Sequence, residues 1–133
     1  MALSSVLSVS LSGMTAAARR LEASASNVAN VDTVGALPTA DAASSVHRAR
    51  TVVQTEVAGG GVSASVVETS PGWVPRAAPG SPFADASGLV AAPDVDLAAE
   101  AVTQITARLA YAASAKTMKV ADEMAKTATD TLA

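Results

Sequence analysis

The sequence predicts a mainly α fold: long N- and C-terminal helices paired as an antiparallel coiled-coil hairpin, with a small β-rich insert between them. Three observations carry this. Leu7, Leu11, Met14, Ala18, Leu21, Ala25 and Val28 are spaced 4, 3, 4, 3, 4, 3, an a/d heptad seam. From Asp94 to Leu132 there is neither Gly nor Pro, and alanine, the best helix former, abounds. Between the two, helical periodicity disappears and Gly and Pro accumulate. The corresponding domain boundaries are 1–35 and 93–133 for the helical core and 36–92 for the insert.

In the first helix, Ser4 or Ser5 is placed to cap the start, and Asn27, Asn30 and Asp32 to end it. Gly13 costs about 1 kcal/mol relative to alanine inside a helix, so it marks either close approach of a neighbouring backbone or a tolerated defect. A seam this thin makes a marginal helix on its own, and the natural partner is the C-terminal helix.

Leu37 to Ser45 reads as a loop. Over 46–57, Ala49, Thr51, Val53, Thr55 and Val57 alternate with Arg48, Arg50, Val52, Gln54 and Glu56, as in a strand. Ala58-Gly59-Gly60-Gly61 then reads as a hairpin loop, with Val62, Ala64 and Val66 on the returning strand. No GxxxxGK[ST] pattern follows, so a phosphate-cradling role for the glycines is not supported. Pro71, Pro75, Pro79 and Pro82 predict irregular chain up to Phe83. Trp73 is expected to pack over the small sheet, and His47, the only histidine, to be a surface residue.

Pro93 cannot continue a preceding helix, and Asp94, Asp96 and Glu100 place negative charge at the positive end of the next one. Ala98, Val102, Ile105, Leu109 and Ala112 share a face. Ala115, Met118, Ala121, Ala125, Ala128 and Leu132 extend a similar stripe after a slight drift. At about 1.5 Å per residue the helix approaches roughly 55 Å, longer than a compact domain of this size needs, and it asks for a long helical partner.

Composition narrows the function. Half of the 133 residues are apolar but only 2% are aromatic, so the core is expected to be thin and the isolated chain weakly stable. A formal net charge of −3 argues against nucleic-acid binding. Absence of cysteine removes disulfides, thiol nucleophiles and thiolate metal sites. No apolar run is long enough for a membrane span. Arg19 and Arg20 follow the first apolar stretch, the reverse of a cleaved secretory signal. Without clustered acids or histidines, no catalytic, cofactor or metal site is expected.

Ser12-Gly13-Met14, Arg20-Leu21, Ala25-Ser26-Asn27-Val28-Ala29-Asn30, Thr33 and Gly35 together resemble the N-terminal signature of the bacterial flagellar basal-body rod family. Val34 and Ala36 replace the proline and aromatic that many members carry. His47-Arg48-Ala49-Arg50, Gly60-Gly61-Val62 and Pro79 to Val90 resemble the short proximal rod branch, with Leu89 in place of a tyrosine. Pro93-Asp94-Val95-Asp96, Glu100 and Ala107 to Ala113 resemble the C-terminal signature, with Ser114 in place of an asparagine.

The resemblance implies a structural rod component that polymerises through its terminal helices and transmits torque, and is not an enzyme. The implied partners are itself, other rod proteins, the basal-body membrane ring and the flagellar export apparatus. The implied location is the periplasmic rod, reached by type III export without signal cleavage. The implied assembly interface is Leu7, Leu11, Met14, Leu21, Asn27, Val28, Asn30, Val102, Ile105, Arg108, Leu109, Tyr111 and Met118. The alternative is a helical-hairpin adaptor, or a diverged paralogue acting as a secretion-system export substrate outside the rod.

Overall fold

The computed structural model describes residues 2–40 and 42–131, so Leu132, at the end of the C-terminal stripe, lies outside the described residues. The order is α1 (Ala2–Asn30), β1 (Arg50–Glu56), β2 (Val62–Glu68), β3 (Trp73–Ala77), β4 (Leu89–Pro93) and α2 (Leu97–Thr131).

Helix α1 begins ahead of Ser4 and Ser5, which therefore lie within the helix instead of capping it. Asn27 also lies inside it. The end is made by Asn30, whose carbonyl accepts from the Thr33 amide at 3.0 Å and the Thr33 hydroxyl at 2.7 Å. Helix α2 starts one turn later than its acids suggest. Asp96 is the N-cap, its Oδ1 accepting from the Ala98 and Ala99 amides at 2.8 and 3.3 Å.

Strands β1 and β2 form the expected antiparallel hairpin, from Arg50 opposite Glu68 to Glu56 opposite Val62. Gly59, Gly60 and Gly61 all have positive φ in its loop, where a side chain would be strained. Strands β3 and β4 form a second antiparallel pair that the prolines had hidden. Pro75 is tolerated in β3 because its partner Ala91 turns both its N–H and its C=O away from β3, so the missing N–H breaks no ladder bond. Gly35 exchanges two backbone hydrogen bonds with Ala91, at 3.0 and 2.9 Å, and so ties the exit of α1 to β4. A Cβ at Gly35 would lie 3.0 Å from the Val46 amide nitrogen, which is the reason for glycine there.

The buried apolar side chains are Ala16, Ala17, Ala23, Val46, Ala49, Val90, Ala91, Ala92, Ala107 and Ala121. Only Val46 and Val90 among them exceed alanine in size, so the core is as thin as composition suggests.

The two helices meet along their length. Leu3 and Val6 share a groove with Val120, Ala121 and Met124. Gly13 lies against Ser114, and a Cβ on Gly13 would come within 2.7 Å of the Ser114 Oγ. Ala17 and Leu21 border Ala107 and Tyr111. The Ser24 hydroxyl donates to the Glu100 carbonyl at 3.3 Å. Gly13 therefore does meet a close neighbour, but it is the Ser114 side chain and not the backbone expected.

Candidate assembly surface

The stripe that α1 turns toward its surroundings within the chain is not the apolar heptad seam. Ser10, Ala16, Ala17, Ala23, Ser24 and Asn27 are buried on α1. Ser10, Gly13, Ala17, Arg20, Ser24 and Asn27 repeat at the same 3-4 spacing as the seam but one residue earlier, a rotation of about 100° around the helix. The seam itself is turned outward: Leu11 is 56% exposed, Leu21 is 46% exposed, Ala18 and Ala25 are exposed, and Leu7, Met14 and Val28 are half-buried.

Helix α2 behaves alike in its first half. Val102, Ile105 and Leu109 are 60, 60 and 64% exposed, with Ala98 and Ala112 also exposed. The side toward α1 carries Glu100, Ala107 and Ser114 instead. In the second half the expected stripe turns inward as far as Ala125, with Ala121 buried and Ala115, Met118 and Ala125 half-buried, whereas Ala128 is exposed. The expectation that the Leu11 and Ile105 seams face each other is thus corrected. Small side chains let the helices approach closely, and Leu, Ile and Val are too bulky for that interface.

Asn27 is the polar centre of the fold. Its side chain is 1% exposed. Its Nδ2 donates to the Arg50 carbonyl at 2.8 Å and to Glu100 Oε1 at 2.6 Å. Its Oδ1 accepts from the Arg50 amide at 2.8 Å. One amide therefore joins α1, the first residue of β1 and the first turns of α2. The signature residue Asn27 is spent inside the chain, whereas Asn30 bonds only locally, to the Ser26 carbonyl at 2.8 Å. Glu100, expected as a helix-start charge, is half-buried and holds Asn27. Among the described residues every buried side-chain polar atom has a partner.

His47 is half-buried, its Nε2 3.5 Å from Asn27 Oδ1, not simply at the surface. Burial, aided by the Arg50 charge and opposed by Glu68, lowers its pKa from the ordinary histidine value.

The β1–β2 hairpin sits on α1. Arg20 donates to Gln54 Oε1 at 3.0 Å, and the Val62 amide donates to the Ser12 hydroxyl at 3.2 Å. The glycine loop reaches the helix at Val9 and Ser12, where a Cβ on Gly61 would lie 2.6 Å from the Ser12 Oγ. Of the two strand faces, the Val52 and Gln54 side is the one turned inward, and Thr51, Val53 and Thr55 are exposed.

Exposed large apolar side chains thus run along both helices, with Val53, Val57, Val67, Val74 and Phe83 exposed on the insert as well. Tyr111 is 48% exposed beside Arg108 in the groove shared with Leu21, and Met118 lies half-buried further along α2. Val6, Val9, Leu97, Val120 and Met124 are exposed as well and lie outside the stripes predicted from the sequence; Val6, Val120 and Met124 line the groove between the helices, and Val9 lies beside the glycine loop. Among the described residues no group of acids or histidines could hold a metal ion, and no helix is long and apolar enough to cross a membrane.

Such a surface, on long helices with a thin core and without a catalytic or metal cluster among the described residues, is that of a structural helical protein, and comparison with known proteins names its family. Residues 7–36 match the family model for the flagella basal body rod protein. Residues 86–131 match that for the C-terminal part of the flagellar basal body rod FlgEFG proteins. The flagellar basal-body rod protein FlgC of Salmonella typhimurium strain LT2 is 33% identical over 130 residues, covering 93% of each chain. FlgC of Salmonella typhi and of Escherichia coli O6:H1 match with the same identity and coverage. The chain belongs to the FlgC family of flagellar rod proteins. It is a structural component of the basal-body rod, assembled with other rod components.

Proposed function

We propose that this chain polymerises helically through its terminal helices and transmits torque as part of the proximal, periplasmic rod. In this reading α1 and α2 act as an antiparallel coiled-coil hairpin. Segments 1–35 and 93–133 build the inner tube, and the 36–92 insert packs outside it. The chain reaches the rod through the flagellar type III export apparatus without signal cleavage, and the rod joins the membrane ring to the distal shaft. No chemistry is involved.

One observation carries the reading: Leu11, Leu21, Val102, Ile105 and Leu109 face outward, while the helix residues that are buried are alanine, serine and asparagine. Burying the remaining exposed area of Leu11, Leu21, Val102, Ile105, Leu109 and Tyr111 against neighbours contributes on the order of 1 kcal/mol each, by the usual area relation. Summed over the stripe, this is comparable with the whole stability of a small domain. The opposed order of the meeting positions, Val6 with Val120, Gly13 with Ser114 and Asn27 with Glu100, supports the antiparallel hairpin. Leu7, Met14, Val28, Asn30, Arg108 and Met118 flank the same stripes and complete the proposed interface. Asn27 supports it from within.

Leu109→Asp tests the reading, because the side chain is 64% exposed and its replacement leaves the chain's own core untouched. Expression and helix content should stay at the parent level, while basal bodies seen by electron microscopy should lack an intact rod. Normal rods and normal motility would refute the interface. A defined one-to-one complex in place of open-ended association would mark an adaptor instead.

A further inference from the structure

The chain carries two competing helix seams, and only one is used. The greasier, with Leu7, Leu11, Met14, Leu21 and Val28 on α1 and Val102, Ile105 and Leu109 on α2, would bury more apolar area within a single chain. The observed pairing instead rotates α1 by one residue and α2 by two, and buries Ser24 and Asn27, each 1% exposed, with Gly13 against Ser114. Hydrophobic burial alone does not select that arrangement.

We infer that Asn27 is the specificity-determining residue of assembly: tied to Arg50 and Glu100, it holds α1 in the rotation that keeps the large apolar stripes outside. This rests on the reading of those stripes as contacts between subunits. The bonds at stake are directional. Turning α1 by about 100° would withdraw the amide from the Arg50 N–H and C=O and from the Glu100 carboxylate, leaving those groups to find other partners. Ser24 would leave the Glu100 carbonyl as well. A single buried asparagine that sets the register of paired helices at some cost in stability is a known physical device. Here its partner groups come from the insert and from α2 together. The hairpin domain thereby dictates which face of α1 the rest of the rod meets. Arg20 on Gln54 and Ser12 on Val62 hold the same rotation further along α1. Without the pin, the chain is free to close its own greasy seam and lose its capacity to add to a polymer.

The chain has no cysteine, so a single Leu109→Cys substitution gives a clean probe of that face. Thiol modification is measured on the full chain at a concentration where circular dichroism reports both helices. Adding Asn27→Ala should slow the modification about tenfold, the fold-change of a roughly 1.4 kcal/mol preference for the closed pairing, with helix content retained. Glu100→Ala, which leaves the Asn27–Arg50 bonds in place, should slow it in the same direction. Glu100→Gln keeps an acceptor for the Asn27 amide and should modify at the parent rate. Unchanged rates in both alanine variants, or loss of helix in both, would overturn the inference. Because the rate reads pairing within the isolated chain, that outcome leaves polymerisation to be judged separately by the Leu109→Asp rods.

Discussion

At Asn27 one carboxamide makes three short hydrogen bonds to two other elements, and neighbouring side chains are read against it. His47 is the titrating member of this group. Its pKa is lowered by burial first and by Arg50 second, so the unfolded chain binds the proton more tightly. The sign follows: stability is fully present above the unfolded histidine value of about 6.5 and declines as pH falls through it. Urea midpoints should therefore drop between about pH 7.5 and 5.5, a window in which few other side chains titrate, and His47→Gln should flatten the slope. Gly13 gives a second test at this scale. Alanine there meets only the movable end of Ser114, and its better helix propensity offsets the crowding. Valine adds branches with no room beside Ser114, so Gly13→Val should destabilise by about 1–3 kcal/mol in urea unfolding. The signature motif made Asn27 visible in the sequence, but as a helix stop. Its real role was not legible because Arg50 and Glu100 lie 23 and 73 positions away.

The elements separate into those with a strong local signal and those without. Helix α1, helix α2 and the β1–β2 hairpin follow from periodicity and from a glycine run that only a tight loop explains. The hairpin depends on that loop touching α1. Gly61→Ala places a Cβ against Ser12 at a φ of +93°, and should cost about 1–3 kcal/mol. Hydrogen exchange should then show faster amides across 50–68, with α2 little changed. The β3–β4 pair was missed for a physical reason. Proline normally interrupts a sheet, and here Pro75 is harmless because its partner Ala91 bonds Gly35 instead. The turn between β3 and β4 is held by Asp85, which accepts from the Ser87 and Leu89 amides at 2.8 and 2.9 Å, a contact that composition does not announce.

As a whole molecule, this chain keeps alanine inside and leaves leucine, isoleucine and valine along both helices outside. That inversion of the usual order fits the proposal that the outer stripes are contacts between subunits. It predicts that thermal stability should rise with protein concentration, as association linkage requires, and that Leu109→Asp should abolish the rise without lowering the dilute-limit midpoint. The sequence by itself determined the class of fold, the helix and hairpin positions, the thinness of the core and the rod family. These rest on local periodicity, backbone chemistry and short motifs, all readable within a few residues. Only the tertiary structure decided which stripe of each helix faces inward, because stripes offset by one residue on α1 and by two on α2 are nearly equivalent as patterns. What separates them is a set of directional hydrogen bonds from Asn27 to groups that only folding brings together.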